Sequence, residues 1–395
     1  MTTDTTAAPD TAPNSEKRTA LYAQHQALGA TFTDFGGWQM PLKYGSELAE
    51  HRAVREAAGL FDLSHMGEIW VAGPGAGAFL DYALVGKLSA IAVGKAKYSL
   101  ICAEDGGIID DLIVYRVAEE DYLVVPNAGN APTVAAEFEA RLAAFAAARG
   151  AEAGVTLRDA SAETSLIAVQ GPNAQDILLA IVPAEHADAV TGLKYYSAIE
   201  LEAAGVPVLL ARTGYTGEDG FELFVANGRA AELWAAVRAA GEGRGLVPCG
   251  LASRDSLRLE AGMPLYGNEL SRDVTPFEAG LGGVVALKTK EGDFVGRSAL
   301  QAKKDDGAGT TSGRRLVGLR GLGRRAARSH YQVLKDGQAI GEVTSGQPSP
   351  TLGYPVALAY VAVELSEVGT QLDVDLRGKT EPFEVVALPF YKREK

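Results

Sequence analysis

Only two cysteines, Cys102 and Cys249, occur in the 395 residues. They lie far apart, each among apolar or glycine neighbours, so no disulfide framework is available and a reducing compartment is expected. No stretch approaches the roughly eighteen consecutive apolar residues of a membrane-spanning helix. The start, MTTDTTAAPDTAPNSEKR, has no apolar segment of a signal peptide, and its acidic residues argue against an organelle transit peptide. Residues 1–18 read as a disordered tail, and the protein as cytoplasmic with no membrane attachment.

Metal and nucleotide chemistry also lack their residues. The five histidines, His25, His51, His65, His186 and His330, include no pair at metal-ligand spacing, and neither cysteine has a C-x-x-C partner. GPGAG follows a strand but is not G-x-G-x-x-G, and no acidic residue stands about twenty positions on to hold a ribose. DVDLRGKT ends like a phosphate loop with Asp373 where its first glycine must be. There is no G-x-S-x-G nucleophile elbow. No metal and no nucleotide are expected, and the chemistry falls to carboxylates, arginine and tyrosine acting on a ligand that brings its own reactivity.

The net charge of −13 excludes a general nucleic-acid binder, since phosphate backbones are held by an excess of Lys and Arg. The charge is uneven. Residues 286–335 hold twelve Lys or Arg against four Asp or Glu, which reads either as a solvated face or as an attraction for an anionic ligand or partner.

What is present is ordinary globular material, 47% apolar and 22% charged, long enough for two or three domains. TALYAQHQALGA reads as a first helix and TDFGGWQMPLKYG as a Gly/Pro-rich loop. Residues 46–58 form a helix capped by Ser46 and closed by Gly59. GLFDLSHMGEIWVAG ends in a strand, and a helix follows over 77–85. Residues 98–126 carry strand signals broken by turns at EDGG and AEED, an antiparallel meander. Val134, Phe138, Leu142 and Phe145 recur at helical spacing up to Gly150. SLIAVQGP is a strand, NAQDILLAIV a helix, GVPVLLARTGYTGEDGFELFVA a hairpin, and 230–240 a helix. QAKKDDGAGTTSGRR, residues 301–315, reads as a polar linker, after which short strands and turns suggest a small β-barrel or sandwich over 316–395. The class is α+β with an all-β C-terminal domain.

Two stretches carry unusual polar residues. In GGIIDDLIVYR, alternation puts Asp111 on a face with Ile113 and Tyr115, and Asp110 on the other with Leu112 and Val114. One of the two can address a pocket; the other is then a turn residue accepting N–H groups of the GGI bend. In FELFV, Glu222 shares a face with Phe224 and could hold a flat, amine-bearing heterocycle through paired hydrogen bonds. Arg254 and Arg258 lie four apart beside Asp255 and Glu260, which fits a helix laced by salt bridges as well as a site.

GGIIDDLIVYR, PNAGN, RTGYTGEDGFEL, GLASRDSLRLEAGMPLYGNEL, TPFEAGLGGVV, FVGRSAL and EVTSGQPSPTLGYPVALAYV, in that order over about residues 19–390, resemble the T-proteins of the glycine cleavage system, the tetrahydrofolate-dependent aminomethyltransferases. The resemblance implies a monomeric three-domain clover-leaf. Two interleaved α+β domains, residues 19–300, would surround a folate channel, and the β-barrel domain would follow. It implies transfer of a methylene from the aminomethyl group on the lipoyl arm of the H-protein to tetrahydrofolate, with release of ammonia. Asp111 matches the family's essential carboxylate, and Glu222 and Arg254 its folate-contacting residues. Met66, Tyr98, Asn127, Tyr196 and Tyr215 match channel-lining positions, and Tyr391 matches a tyrosine near the family's C-terminus.

RRAARSHYQVL and SGQPSPTLGYP depart from the family pattern, which bears on the third domain and on H-protein docking. A non-catalytic folate-binding protein of iron–sulfur cluster assembly is the alternative, but its K-G-C-Y-x-G-Q-E signature is replaced here by KTKEGDFVGRSAL, without a cysteine. The folate-binding half of an amine-demethylating flavoenzyme would need a flavin domain that this chain lacks.

Overall fold

The computed structural model describes residues 16–149, 154–306 and 313–393. A six-stranded sheet runs in the order Ala198–Ala203, Val206–Ala211, Gly220–Ala226, Thr164–Gln170, Ala58–Asp62, Leu246–Pro248. Its pairs are antiparallel except the last, where Leu246–Pro248 lies parallel to Ala58–Asp62. A five-stranded antiparallel sheet runs Lys95–Cys102, Ile108–Arg116, Asp121–Pro126, Ile69–Ala72, Thr156–Asp159. All of its strands fall in the chain between Ala58–Asp62 and Thr164–Gln170, neighbours in the first sheet. The two units are interleaved for that reason.

The meander strand Ile108–Arg116 is apolar on both faces because both are covered. Leu112 and Val114 pack with Phe79 and Phe138 of the helices Ala76–Ala83 and Ala131–Arg149. Ile113 and Tyr115 turn to the other side and pack with Phe224 of the first sheet. The register slips opposite Ile101 and Cys102, which pair with Asp110 and Ile108 and leave Ile109 as an extra residue. Such a bulge bends a strand and re-aims the side chains beside it; here it comes directly before the two aspartates.

The C-terminal strands Arg314–Gly321, Pro355–Ala362, Gln338–Pro348, Gln332–Lys335, Gln371–Asp375 and Thr380–Val386 close into a six-stranded barrel filled by Val317, Val343, Phe383 and their neighbours. Leu259, on the helix Leu251–Glu260, packs against the barrel's Val356 and Leu358. Beside it the buried Glu260 carboxylate meets Arg55 at 2.8 Å and His51 at 3.2 Å, and accepts from the Ser349 and Thr351 hydroxyls and the Thr351 N–H. These bonds tie the core to the barrel.

Several elements differ from the sequence reading. Residues 33–45, read as a loop, fall largely in the hairpin Thr31–Phe35 and Trp38–Lys43, whose turn is made by Gly36 and Gly37 at positive φ. Gly59 does not close the preceding helix but lies within Ala58–Asp62, where a Cβ would strike Val54 and Cys249. GLFDLSHMGEIWVAG holds two strands, not one, each in a different sheet. Most of the tail lies outside the described residues, but Lys17 exchanges backbone hydrogen bonds with Gly37 and Gln39. The stretch read as a linker begins inside the helix Arg297–Asp305, and 307–312 lie outside the described residues.

The basic segment is largely spent internally. Arg297 donates to the carbonyl oxygens of Leu287, Lys290 and Gly292, Arg314 pairs with Glu278, and Arg320 pairs with Glu384.

Candidate functional site

A cavity of about 330 Å³ opens where the two sheets, the LSHMG loop and the helix Leu251–Glu260 meet. Asp111 reaches it from the bulged strand. Its Oδ2 accepts the Tyr98 hydroxyl at 3.0 Å, and its Oδ1 accepts Asn127 Nδ2 at 2.8 Å. Burial pushes its carboxyl above the usual range, to about 6, against these stabilising bonds.

Asp110 points the opposite way, as alternation requires, but it is not the turn residue expected for the GGI bend. Asp105 caps that bend by accepting from Gly107 N–H. Asp110 is fully buried and accepts three bonds, from Asn127 N–H and Nδ2 at 2.9 Å each and from Asn130 Nδ2 at 2.7 Å. It therefore fixes the PNAGN loop, and with it the amide that reaches Asp111. Burial and then the neighbouring Asp111 charge raise its carboxyl to about 7.

Glu222 stands on Gly220–Ala226, facing the same cavity. Its Oε2 takes the hydroxyl of Thr213 and, at 3.4 Å, that of Tyr115, while Oε1 has no hydrogen bond to a described residue. Burial holds its carboxyl above the ordinary value despite Thr213 and Arg254. Arg254 and Arg258, four apart on one helix, have separate fates. Arg258 is consumed by Asp255, Glu269 and Ser345. The Arg254 guanidinium lies 4.7 Å over the Tyr215 ring and makes no side-chain hydrogen bond to a described residue. Its five N–H donors are not among the sealed, unpartnered atoms and are open to a ligand.

Tyr215, Tyr196 and Met66 complete the expected lining. Tyr196 holds a left-handed backbone, φ 58°, pinned by bonds to Arg212 and Ala96; such strain in a non-glycine residue gathers at functional sites. Tyr391 does not line the cavity. Its ring lies 4.0 Å from the Arg55 guanidinium, and its N–H donates to the Glu260 carbonyl oxygen, one turn before the lining residues Gly262 and Met263.

The sequence reading missed Thr213 and His65. Tyr115 had been placed on the Asp111 face without a role, and alternation could have supplied one. Thr213 and His65 carried no local signal, because what they do depends on strands distant in the chain. Among the described residues, no group of three or more His, Cys, Asp or Glu could hold a metal ion, and no helix is long and apolar enough to cross a membrane.

The carboxylates of Asp111 and Glu222, the Arg254 guanidinium and four tyrosines around a compact space suit a flat polar ligand that needs both donors and acceptors. Comparison with known proteins agrees. Residues 21–289 match the GCVT N-terminal domain, and residues 314–392 match the glycine cleavage T-protein C-terminal barrel domain. An aminomethyltransferase of Streptomyces coelicolor is 57% identical over 96% of this chain and 98% of its own. One from Bacillus velezensis is 45% identical over 96% and 99%. The crystal structure of the glycine cleavage system aminomethyltransferase T from Bartonella henselae superposes with a TM-score of 0.85 at 37% identity, covering 96% of this chain and 99% of that one. With both halves matched and near-full-length relatives at such identity, the chain belongs to the glycine cleavage T-protein family of aminomethyltransferases.

Proposed function

We propose that this aminomethyltransferase moves the methylene of an aminomethyl group, carried on the lipoyl arm of an H-protein, to tetrahydrofolate, with Asp111 as the catalytic carboxylate. The observation that supports this most is the pairing of a tightly held carboxylate, Asp111, with ligand-ready groups at Glu222 Oε1 and Arg254 in one cavity. Those open polar atoms fit a pterin ring, which offers adjacent N–H donors and a carbonyl acceptor.

Tetrahydrofolate, when bound, supplies the nitrogen atoms that accept the methylene. Glu222 and Arg254 hold and orient the ring, and Tyr215 stacks beneath Arg254 to keep it in place. Asp111, set in the cavity wall, stabilises the positive charge that develops on the aminomethyl carbon as its bond to sulfur breaks. The same carboxylate can accept or return a proton at Oδ, since burial raises its pKa to about 6, toward neutrality. Tyr98 and Asn127 keep it in one orientation.

The reading includes a monomer in the cytoplasm that takes its aminomethyl group from the lipoylated H-protein. Residues 19–300 form the folate-binding core in this view, and the barrel braces it through Glu260. The test is to incubate the protein with tetrahydrofolate and aminomethylated H-protein while following ammonia and 5,10-methylenetetrahydrofolate. Formation of both supports the reading; folate binding without either product would favour a non-catalytic folate-binding role.

A further inference from the structure

The LSHMG loop carries a side chain that the reaction described above does not use. His65 is only 3% exposed and lines the central cavity, with its ring edge-on to Phe35 at 5.5 Å between centroids. The loop is held stiffly, since Asp62 Oδ1 accepts Ser64 N–H and Leu63 and Leu166 bond through their backbones. Neither ring nitrogen hydrogen-bonds to a described residue. Nδ1 is sealed from solvent without a partner, whereas Nε2 is not among the sealed, unpartnered atoms.

The tautomer follows from that asymmetry. Burial, and then the charge of Arg254, keep the imidazole neutral, with a pKa pushed down to about 4. A neutral ring carries one proton, and a buried N–H without a partner is rarer and costlier than a buried bare acceptor. The bare nitrogen is therefore the sealed Nδ1, and the proton sits on Nε2. Arg254, on the same cavity, likewise has donors with no protein acceptor. Two open donors call for an acceptor on the ligand, because the hydrogen bonds that Asp111 and Glu222 accept from described side chains come from Tyr98, Asn127, Thr213 and Tyr115, none from His65 or Arg254.

We propose that His65 is a specificity-determining residue of the central cavity, its Nε2–H donating a hydrogen bond to the carbonyl oxygen of the ligand's flat ring. This rests on the folate reading, in which the acceptor is the C4 carbonyl of the pterin. A ligand with an amino group at that position would present donors to a donor and bind less well.

The experiment measures Kd for tetrahydrofolate and for its 4-amino-4-deoxy analogue by calorimetry, in the unaltered protein and in His65→Phe and His65→Gln. The unaltered protein should prefer the 4-oxo ligand. His65→Phe should weaken tetrahydrofolate binding about 5- to 50-fold and erase much of that preference, the usual effect of leaving a ligand acceptor unpaired. His65→Gln, whose amide can still donate, should restore part of it. An unchanged preference in His65→Phe overturns the inference, while failure of the unaltered protein to bind either ligand overturns the folate reading itself. Histidine ¹⁵N NMR of the unaltered protein tests the same point without a variant. The Nε2–H tautomer, with its Nε2 shift moving on addition of tetrahydrofolate, is expected; an Nδ1–H tautomer or an unmoved shift overturns it.

Discussion

Asp110 and Asp111, adjacent in sequence and opposed in direction, share one amide group: Asn127 Nδ2 lies 2.9 Å from Asp110 Oδ1 and 2.8 Å from Asp111 Oδ1. One carboxylate is structural and the other faces the cavity, but the position of the second depends on the first.

Asp111→Asn should separate charge from shape. The amide keeps the size of the side chain but cannot meet a developing cation, so kcat should fall by roughly 10²–10⁴ while tetrahydrofolate still binds. Steady-state kinetics beside a direct binding measurement decide it; a kcat close to that of the unaltered protein would remove Asp111 from the chemistry.

Asp110→Asn should also lose activity, by a different route. The new amide nitrogen would face the amides of Asn127 and Asn130, which now donate to Asp110. Stability should drop by about 1–3 kcal/mol in denaturant melts, and kcat should fall as Asn127 loosens its hold on Asp111. Full activity in a destabilised protein would show that the two aspartates are not linked.

Acidity should push activity and stability in opposite directions. Both carboxylates titrate above the ordinary 3.8, at about 7 and about 6, so kcat should decline as pH falls through that range and Asp111 takes up a proton. Because the folded state binds these protons more tightly than the unfolded one, the pair's contribution to stability is fully present below 3.8 and is lost as pH rises through its raised values. A rate profile flat from pH 5 to 8, about the range where such groups would ionise, would contradict the assignment.

Glu222→Gln should weaken tetrahydrofolate binding by about 1–3 kcal/mol, since an amide can present only one acceptor where the ligand needs one and Thr213 and Tyr115 need another. Calorimetric affinity, read beside the melting temperature, separates this from a structural loss: a large drop in melting temperature with unchanged affinity would assign the residue to the fold.

Glu260 supports the barrel rather than the chemistry. Burial disfavours its charge, but the bonds from His51 and Ser349 and the Arg55 charge prevail and lower its carboxyl to about 2. Its contribution to stability is therefore present above 4.5 and lost as pH falls through about 2. Glu260→Ala should cost about 1–3 kcal/mol by leaving His51, Ser349, Thr351 and one edge of Arg55 without their acceptor, while Arg55 keeps its pair with Glu218, measured by thermal or urea unfolding.

Much of this architecture was legible because it is local. The meander, the helix Ala131–Arg149 and the Gly220–Ala226 hairpin follow from periodicity and turn residues within a few positions of each other. The face carrying Asp111 came from alternation, and its role from the resemblance. What escaped was decided by distant partners. Nothing within GLFDLSHMG says that Phe61 will lie beside Ala168 while Ile69 joins a different sheet. His65 acquires meaning from that crossing. Asp110 was misread as a turn residue because its partners stand across the loop at Asn127 and Asn130, not in the adjacent glycines.

The interleaving also governs how the chain can assemble. Ala58–Asp62 finds its antiparallel neighbour Thr164–Gln170 only after the whole five-stranded sheet has been made, so as the chain leaves the ribosome this strand stands unpaired for roughly a hundred residues of synthesis. All strands of the five-stranded sheet leave the ribosome before Thr164–Gln170, so that sheet can form first, whereas the barrel strands emerge last of all. The six-stranded sheet is a late closure, and the cavity walls that carry Glu222 and Arg254 cannot meet Asp111 before it. Unpaired edges exposed in that interval would be the point at which heat or crowding diverts the chain to aggregation, and a destabilising change at Ala58–Asp62 should lower the yield of folded protein more than it lowers the activity of what has folded.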